Sequence, residues 1–313
     1  MRIVYCGSGS FGVPTLAALK AAGHEVVRVY TQPARPAGRG GKLRVTPIGE
    51  VACWAGLDTA ECEKINAPPV VEEIRALRPD AIVVVDFGQM IRAGVRDCAP
   101  LGAINLHGSL LPTLRGAAPV NWAMIRGDRE AGVTTFKLVD AMDAGDMYLK
   151  ASTEIDPRET ALELRGRLAS IGAKVMIDTL EGLGSGQLQG EHQDNSLATL
   201  APRLTKADGV IQWTASAVEI RNRVHGTWHW PGGQAIFHGQ RQAVPVALAR
   251  VEAIDDAPTA TPGTVEKDLT IATGGGRIRV LELQPAGKRL MAWQDFVNGH
   301  RVVAGDTFTA PEV

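Results

Sequence analysis

The chain has 313 residues, of which 45% are hydrophobic and 21% charged. That is enough apolar material for one large or two moderate cores, and too much for a disordered chain. The formal net charge of −1 excludes a uniformly basic nucleic-acid binder, so any polyanion contact has to come from a local patch. The longest apolar runs, such as Ala81–Val85, fall far short of the roughly 20 residues of a membrane helix, so no spanning protein is expected. Met1–Gly7 enters a glycine loop with no long apolar segment behind it, and no signal peptide is expected. Cys6, Cys53, Cys62 and Cys98 form no CxxC pair. Neither a zinc site nor a disulfide framework is expected, and a reducing cytoplasm fits this usage.

In chain order, Arg2–Cys6 reads as a buried strand and Phe11–Ala22 as a helix with Gly23 just past its end. Glu25–Tyr30 is a second strand. Thr46 is placed to cap a helix with Pro47 at its first position, running to Ala55. Pro68–Leu77 is a helix, and Ala81–Val85 and Ala103–Leu106 are further strands. Ala131–Val139 and Met147–Ile155 are later strands, and Glu159–Leu180 is a long amphipathic helix. This alternation predicts an α/β fold with a mostly parallel sheet covered on both faces. Gln187–Leu200 is polar and irregular, as a linker would be. Beyond about residue 200, short strand-like runs at Val244–Arg250, Leu269–Ala272 and Ile278–Leu283 predict a small all-β domain.

Gly7-Ser8-Gly9-Ser10-Phe11-Gly12 fits GxGxxG, but Val29-Tyr30-Thr31-Gln32 ends the second strand without the acid that a dinucleotide ribose needs. A tight strand-to-helix turn is the better reading. Thr31–Val45 carries Arg35, Arg39, Lys42 and Arg44 and no acidic residue. It is long for a strand-to-helix connection, and it reads either as a solvated basic loop or as a contact for a phosphate backbone. Asn105 and His107 lie two apart at a strand end and therefore share a face, where an amide and an imidazole could serve a developing oxyanion. Asp140, Asp143 and Asp146 fall within Asp140–Asp146, between two strands. This is either an acidic turn or a source of a carboxylate for His107. No ligand spacing points to a metal. The chain has no GxSxG elbow and no Cys beside a His, which favours direct transfer between two bound substrates over a covalent intermediate. His225 with Trp228-His229-Trp230 is expected to pack at the edge of the β domain.

Asn105–Pro112, with the tetrapeptide Ser109-Leu110-Leu111-Pro112, Arg115-Gly116-Ala117-Ala118-Pro119 and Asp143-Ala144-Gly145-Asp146-Met147 resemble the folate-dependent formyltransferase signatures. Thr31-Gln32-Pro33 with Arg35–Gly40 and Lys42-Leu43 resembles the inserted loop of the methionyl-tRNA formyltransferase family, and Leu283–Met291 resembles part of that family's C-terminal barrel. The likeness extends over almost the whole chain. It implies a Rossmann-like formyltransferase domain over 1–186, a linker over 187–202 and an OB-like, tRNA-binding barrel over 203–313. It implies 10-formyltetrahydrofolate as donor, initiator methionyl-tRNA as acceptor, no metal, no obligate protein partner and a cytoplasmic location.

The resemblance assigns catalysis to Asn105, His107 and Asp143. It assigns folate contact to Phe87, Gly88, Gln89, Met90, Ser109, Leu110, Leu111, Pro112 and Asp140, and tRNA contact to Arg35, Arg39, Lys42, Arg44, Lys206 and Lys288. The region 203–313 holds twelve basic and eleven acidic side chains, so a tRNA face there has to come from asymmetry. Gly108 stands where the tRNA enzymes usually have Pro. Glycine there, and a continuation like Ala118–Trp122, are also habits of amino-sugar formyltransferases, which leaves a nucleotide-linked amino sugar as the alternative acceptor.

Overall fold

The computed structural model describes residues 1–37, 41–240 and 243–312. Its elements in order are β1 Arg2–Gly7, α1 Val13–Ala21, β2 Glu25–Thr31, β3 Arg35–Ala37, β4 Lys42–Arg44, α2 Pro47–Trp54, β5 Thr59–Glu61, α3 Pro68–Ala76, β6 Ala81–Val85, α4 Ala93–Arg96, β7 Ala103–His107, α5 Pro119–Arg126, β8 Glu130–Lys137, β9 Met147–Glu154 and α6 Ala161–Gly184. There follow α7 Ala217–Thr227, β10 Gly233–His238, β11 Ala243–Ile254, β12 Ile271–Ala272, β13 Arg277–Pro285, β14 Met291–Ala292, α8 Trp293–His300 and β15 Thr307–Thr309. The chain forms two compact units. One comprises Met1–Gly116, Ala131–Thr153 and Arg165–Leu200, and the other Ala117–Glu130, Glu154–Leu164 and Ala201–Val313.

The first unit is built on a seven-stranded sheet of order β5-β2-β1-β6-β7-β8-β9. The first five strands are parallel and β8 runs antiparallel to β7. The continuous apolar run of β6 is buried at every position, as a strand covered on both faces requires. On one face Val4, Cys6, Ile82 and Val84 pack with Ile65, Ile74 and Val95. Thr46 caps α2 by accepting from the Gly49 N–H at 3.0 Å, as the Thr-Pro pair predicts. The strand order reverses direction between β1 and β6, the place where open α/β sheets hold ligands beyond their strand ends.

The glycine loop is a packing turn. The N–H groups of Ser8 and Gly9 both donate to the Asp86 carbonyl at 3.1 Å. A Cβ on Gly9 would overlap the Asp86 carboxylate, and one on Gly12 the Tyr5 hydroxyl. The amides that would cradle a pyrophosphate are occupied within the protein. The basic stretch forms a two-stranded ribbon, β3 against β4, with Arg35 directly opposite Arg44. Arg39 lies outside the described residues.

The second unit is an antiparallel sheet of order β12-β13-β11-β10-β15, with β14 added to β13. Register shifts around Leu248–Val251 interrupt the long β11, and such irregularities bend a strand and increase its twist. Phe237, Leu248, Val280, Leu283, Phe296 and Phe308 belong to its core. Beside these strands the unit carries helices that the sequence reading lacked. One is α7, held by a capping box in which Ser216 and Glu219 satisfy each other's backbone. Another is α8, whose Trp293, Phe296 and Val297 are buried. The aromatic cluster divides: His225 is buried, Trp228 is half-buried, and His229 and Trp230 are exposed.

His225 accepts the Val251 N–H on Nε2 at 3.1 Å and hydrogen-bonds the Pro157 backbone. Burial, reinforced by the positive charges of Arg250 and Arg221, lowers its pKa from 6.5 to about 4. The unfolded chain therefore binds the proton more tightly than the native one between these values. The stabilising contribution of the neutral ring is complete above pH 6.5 and is lost as pH falls through 4. His225→Gln, which keeps an acceptor for Val251 but cannot titrate, is expected to flatten the acid limb. Urea unfolding at pH 7.5 and pH 4 should show wild type losing more stability than the variant, by on the order of 3 kcal/mol.

Candidate active site

The site forms where β7 ends. Asn105 and His107 alternate with the buried Ile104 and Leu106, so both point to the same side of the sheet. Asn105 is paired across the sheet with Phe136 of β8, and the Phe136 ring stands edge-on to His107 at 6.3 Å. His107 is 7% exposed. Its Nε2 lies 2.9 Å from the Leu114 carbonyl. A carbonyl only accepts, so Nε2 carries a hydrogen and Nδ1 is the nitrogen left to face the reacting groups. Among the described residues the Asn105 carboxamide makes no hydrogen bond.

Asp143 arrives from the loop between β8 and β9 in a left-handed conformation, φ 50°. Its Oδ2 accepts the Gly116 N–H at 2.8 Å and stands 3.9 Å from His107 Nδ1, a separation that one water can bridge. The neighbouring Gly145 sits so close to β8 that a Cβ would overlap the Lys137 carbonyl oxygen. Among the three acidic residues of this loop, Asp143 alone approaches His107. Asp140 pairs with Arg96 at 2.9 Å and is largely exposed, and Asp146 pairs with His192 at 3.2 Å.

Ser109–Pro112 is held from beneath by a residue the sequence reading missed. Thr134 of β8, fully buried, accepts the Leu111 N–H at 3.1 Å and donates to the Ser109 carbonyl at 2.7 Å. The Ser109 hydroxyl in turn donates to the Thr113 carbonyl at 2.6 Å. A hydroxyl in the middle of a buried strand was the available signal. Ser109 and Leu111 are buried, and Leu110 and Pro112 are partly buried.

The strand-end loop after β6 lies beside the crevice at the reversal of strand order. Phe87 is buried, Gly88 has φ 80°, and Met90 is 58% exposed. The Gln89 side chain is occupied within the protein: it accepts from the Ile65 N–H at 2.9 Å and donates to the Cys62 carbonyl at 2.7 Å. Among the described residues no hydrogen bond engages the N–H groups of Gly88, Gln89 or Met90, so this loop offers a ligand its backbone. Of the basic residues expected to meet tRNA, Arg35, Lys42 and Arg44 are exposed on the β3–β4 ribbon. Lys206 and Lys288 are exposed on the second unit.

Thr134→Val keeps the shape of the side chain and removes its hydroxyl. It leaves the Leu111 N–H and the Ser109 carbonyl unpaired in a buried setting. The expected loss is about 1–3 kcal/mol in chemical denaturation. Unchanged unfolding would show that Thr134 does not support the loop.

Residues 1–180 match the formyl transferase family, and 203–301 match the formyl transferase C-terminal domain. The chain is 43% identical to the methionyl-tRNA formyltransferase of Solibacter usitatus over 98% of each chain. It is 40% identical to that of Methylococcus capsulatus, over 96% of this chain and 97% of the other. Solved structures share the fold at much lower identity. HypX from Aquifex aeolicus, in complex with tetrahydrofolic acid, superposes with a TM-score of 0.66 at 15% identity, covering 96% of this chain and 47% of that one. An N-formyltransferase from Helicobacter canadensis, in complex with folinic acid and dTDP-3-aminofucose, gives 0.65 at 12% identity over 91% and 99%. With both domains matched and full-length relatives at this level of identity, the chain belongs to the methionyl-tRNA formyltransferase family.

Proposed function

We propose that the protein transfers the formyl group of 10-formyltetrahydrofolate to the α-amine of methionine on charged initiator tRNA. One observation carries this reading: a chain similar end to end to methionyl-tRNA formyltransferases sets Asn105, His107 and Asp143 around a single strand end. The Gly108 habit shared with sugar enzymes does not outweigh that likeness. The sugar-enzyme relative resembles this chain in fold, at 12% identity.

In the proposed reaction the neutral amine attacks the formyl carbon. The new N–C bond forms as the carbonyl oxygen takes up negative charge. The Asn105 carboxamide, unpaired among the described residues, donates to that oxygen, and protonated His107 donates to it from Nδ1 while Nε2 stays tied to Leu114. Asp143 offsets the charge on the ring and accepts the amine proton through a bridging water. Collapse restores the carbonyl and breaks the bond from the formyl carbon to the folate nitrogen, which leaves with the proton that Asp143 took from the amine.

The folate reading rests on the fit of unpaired backbone amides at Gly88–Met90 with the braced loop Ser109–Pro112. Gln89 braces its own loop there, and Asp140 borders the other edge. The ribbon residues Arg35, Lys42 and Arg44, with Arg39, take phosphates at the acceptor end. Lys206 and Lys288 do so from the C-terminal domain, read as 203–313 after a linker over 187–202. The cationic faces of Arg35 and Arg44 oppose each other across the ribbon without an acidic neighbour in the stretch, an arrangement that a polyanion relieves. The reaction belongs in the cytoplasm, where tRNA is charged. Among the described residues no helix is long and apolar enough to cross a membrane.

Asn105→Ala and His107→Ala are each expected to lower kcat by on the order of 10²–10³ and to leave tRNA affinity nearly intact. The assay is formyl transfer to charged initiator tRNA with a nucleotide-linked amino sugar in parallel. Transfer to the sugar alone would overturn the acceptor assignment, and normal turnover in both variants would overturn the site. Replacing Arg35 and Lys42 together by Ala should reduce the slope of log K against log salt for tRNA by about 1–2, since each duplex phosphate contact contributes about 0.9. An unchanged slope would separate the ribbon from tRNA binding.

A further inference from the structure

We infer that Gln193, with Arg115, is a positioning residue that sets the Asp143 carboxylate against His107. The inference rests on the assignment of those two residues in the proposed reaction. Within the polar stretch Gln187–Leu200, Gln193 alone is buried, at 1% exposure. Its carboxamide is fully used. The nitrogen donates to the Asp143 carbonyl at 2.8 Å and to the Gly145 carbonyl at 2.7 Å. The oxygen accepts from Arg115 Nε at 3.1 Å and Nη2 at 2.7 Å. Carbonyls only accept and a guanidinium only donates, so the amide has one possible orientation.

The two ends of this clamp hold the two loops that meet at the site. On one side the amide nitrogen fastens the backbone of the Asp143 loop, on both flanks of Ala144. Asp143 needs that support, because a non-glycine residue at φ 50° is intrinsically unfavourable. On the other side the amide oxygen fastens Arg115, whose Nη2 also reaches the Asn195 carbonyl oxygen Oδ1 at 2.9 Å and whose N–H donates to the Thr199 carbonyl at 2.8 Å. The next residue, Gly116, supplies the N–H that holds the Asp143 carboxylate. The segment Gln193–Thr199 thus fixes both the backbone that carries the carboxylate and the backbone that aims it. Nothing else in the stretch Gln187–Leu200 is buried with it, so a general packing role does not account for the residue.

The test is a double-mutant cycle with the full-length protein: wild type, Gln193→Leu, Asp143→Asn and the pair, assayed for formyl transfer to charged initiator tRNA. Gln193→Leu keeps the approximate size and removes all four hydrogen bonds. It is expected to lower kcat about 10–100-fold with the KM for tRNA unchanged, the effect of a misplaced reacting group. In the Asp143→Asn background the same substitution should change kcat less than 3-fold, because there is no carboxylate left to aim. Full additivity, or an unchanged kcat in Gln193→Leu while Asp143→Asn is impaired, would overturn the positioning role and leave the reaction assignment standing. Normal turnover in Asp143→Asn would overturn both. If Gln193→Leu does not fold, Arg115→Lys enters the cycle in its place, since a single ammonium cannot reproduce the paired guanidinium contact. The same coupling to Asp143 is expected, and additivity would again refute the proposal.

Discussion

The site depends on one constraint: a carboxylate must be held close to an imidazole without collapsing onto it. Asp143 Oδ2 stands 3.9 Å from His107 Nδ1, near enough for charge to be felt and beyond direct hydrogen-bond distance. Neither partner can drift. Asp143 is tied through its carboxylate to Gly116 and through its carbonyl to Gln193. His107 is tied by Nε2 to Leu114. Leu114 and Gly116 flank Arg115, so the ring and the carboxylate are anchored to the same short loop from opposite sides. An electrostatic site of this kind works because its dipoles are in place before charge develops.

Most of the first unit exists to present that loop. The parallel strands bring β7 to an end beside the reversal of strand order, where the crevice opens. On the antiparallel β8, Thr134 braces the Ser109–Pro112 loop and Phe136 stands edge-on to His107. The glycine loop, which by pattern alone resembles a nucleotide cradle, closes on the Asp86 carbonyl instead. It also braces the next loop: the Ser8 hydroxyl donates to the Phe87 carbonyl at 3.2 Å and accepts the Gln32 N–H at 3.0 Å. The base of the cationic ribbon and the strand-end loop that is read as meeting folate therefore share one serine.

Much of the secondary structure was legible because its signals are local. Ala81–Val85 is apolar throughout, and Thr46-Pro47 is a helix start that needs no distant partner to be recognised. Other local signals were present and passed over. Ser216 and Glu219 spell a capping box, Trp293, Phe296, Val297 and His300 repeat with helical spacing, and Pro119 and Gly127 bracket α5. Short helices among β-strands are easily masked by their neighbours, and α7 is further disguised by its polar run Arg221, Asn222 and Arg223, which the structure half-buries.

The sequence by itself determined the chemistry available: Asn105 and His107 on one side of a strand, a cluster of carboxylates, a basic insertion without acids, and motifs that resemble formyl-transferring enzymes. Spacing along one strand is a two-residue matter, and so it could be read. Residue types left the three carboxylates Asp140, Asp143 and Asp146 equivalent, and the resemblance singled out Asp143; the tertiary structure supplies the physical reason, because only its backbone conformation turns Asp143 toward the histidine. Tertiary structure also decided the part played by Gln193. Its partners lie about 50 and 78 positions earlier in the chain, and a polar side chain in a polar stretch carries no local sign of burial. Hydrogen bonds across such separations depend on where the fold places the backbone, which no short pattern records.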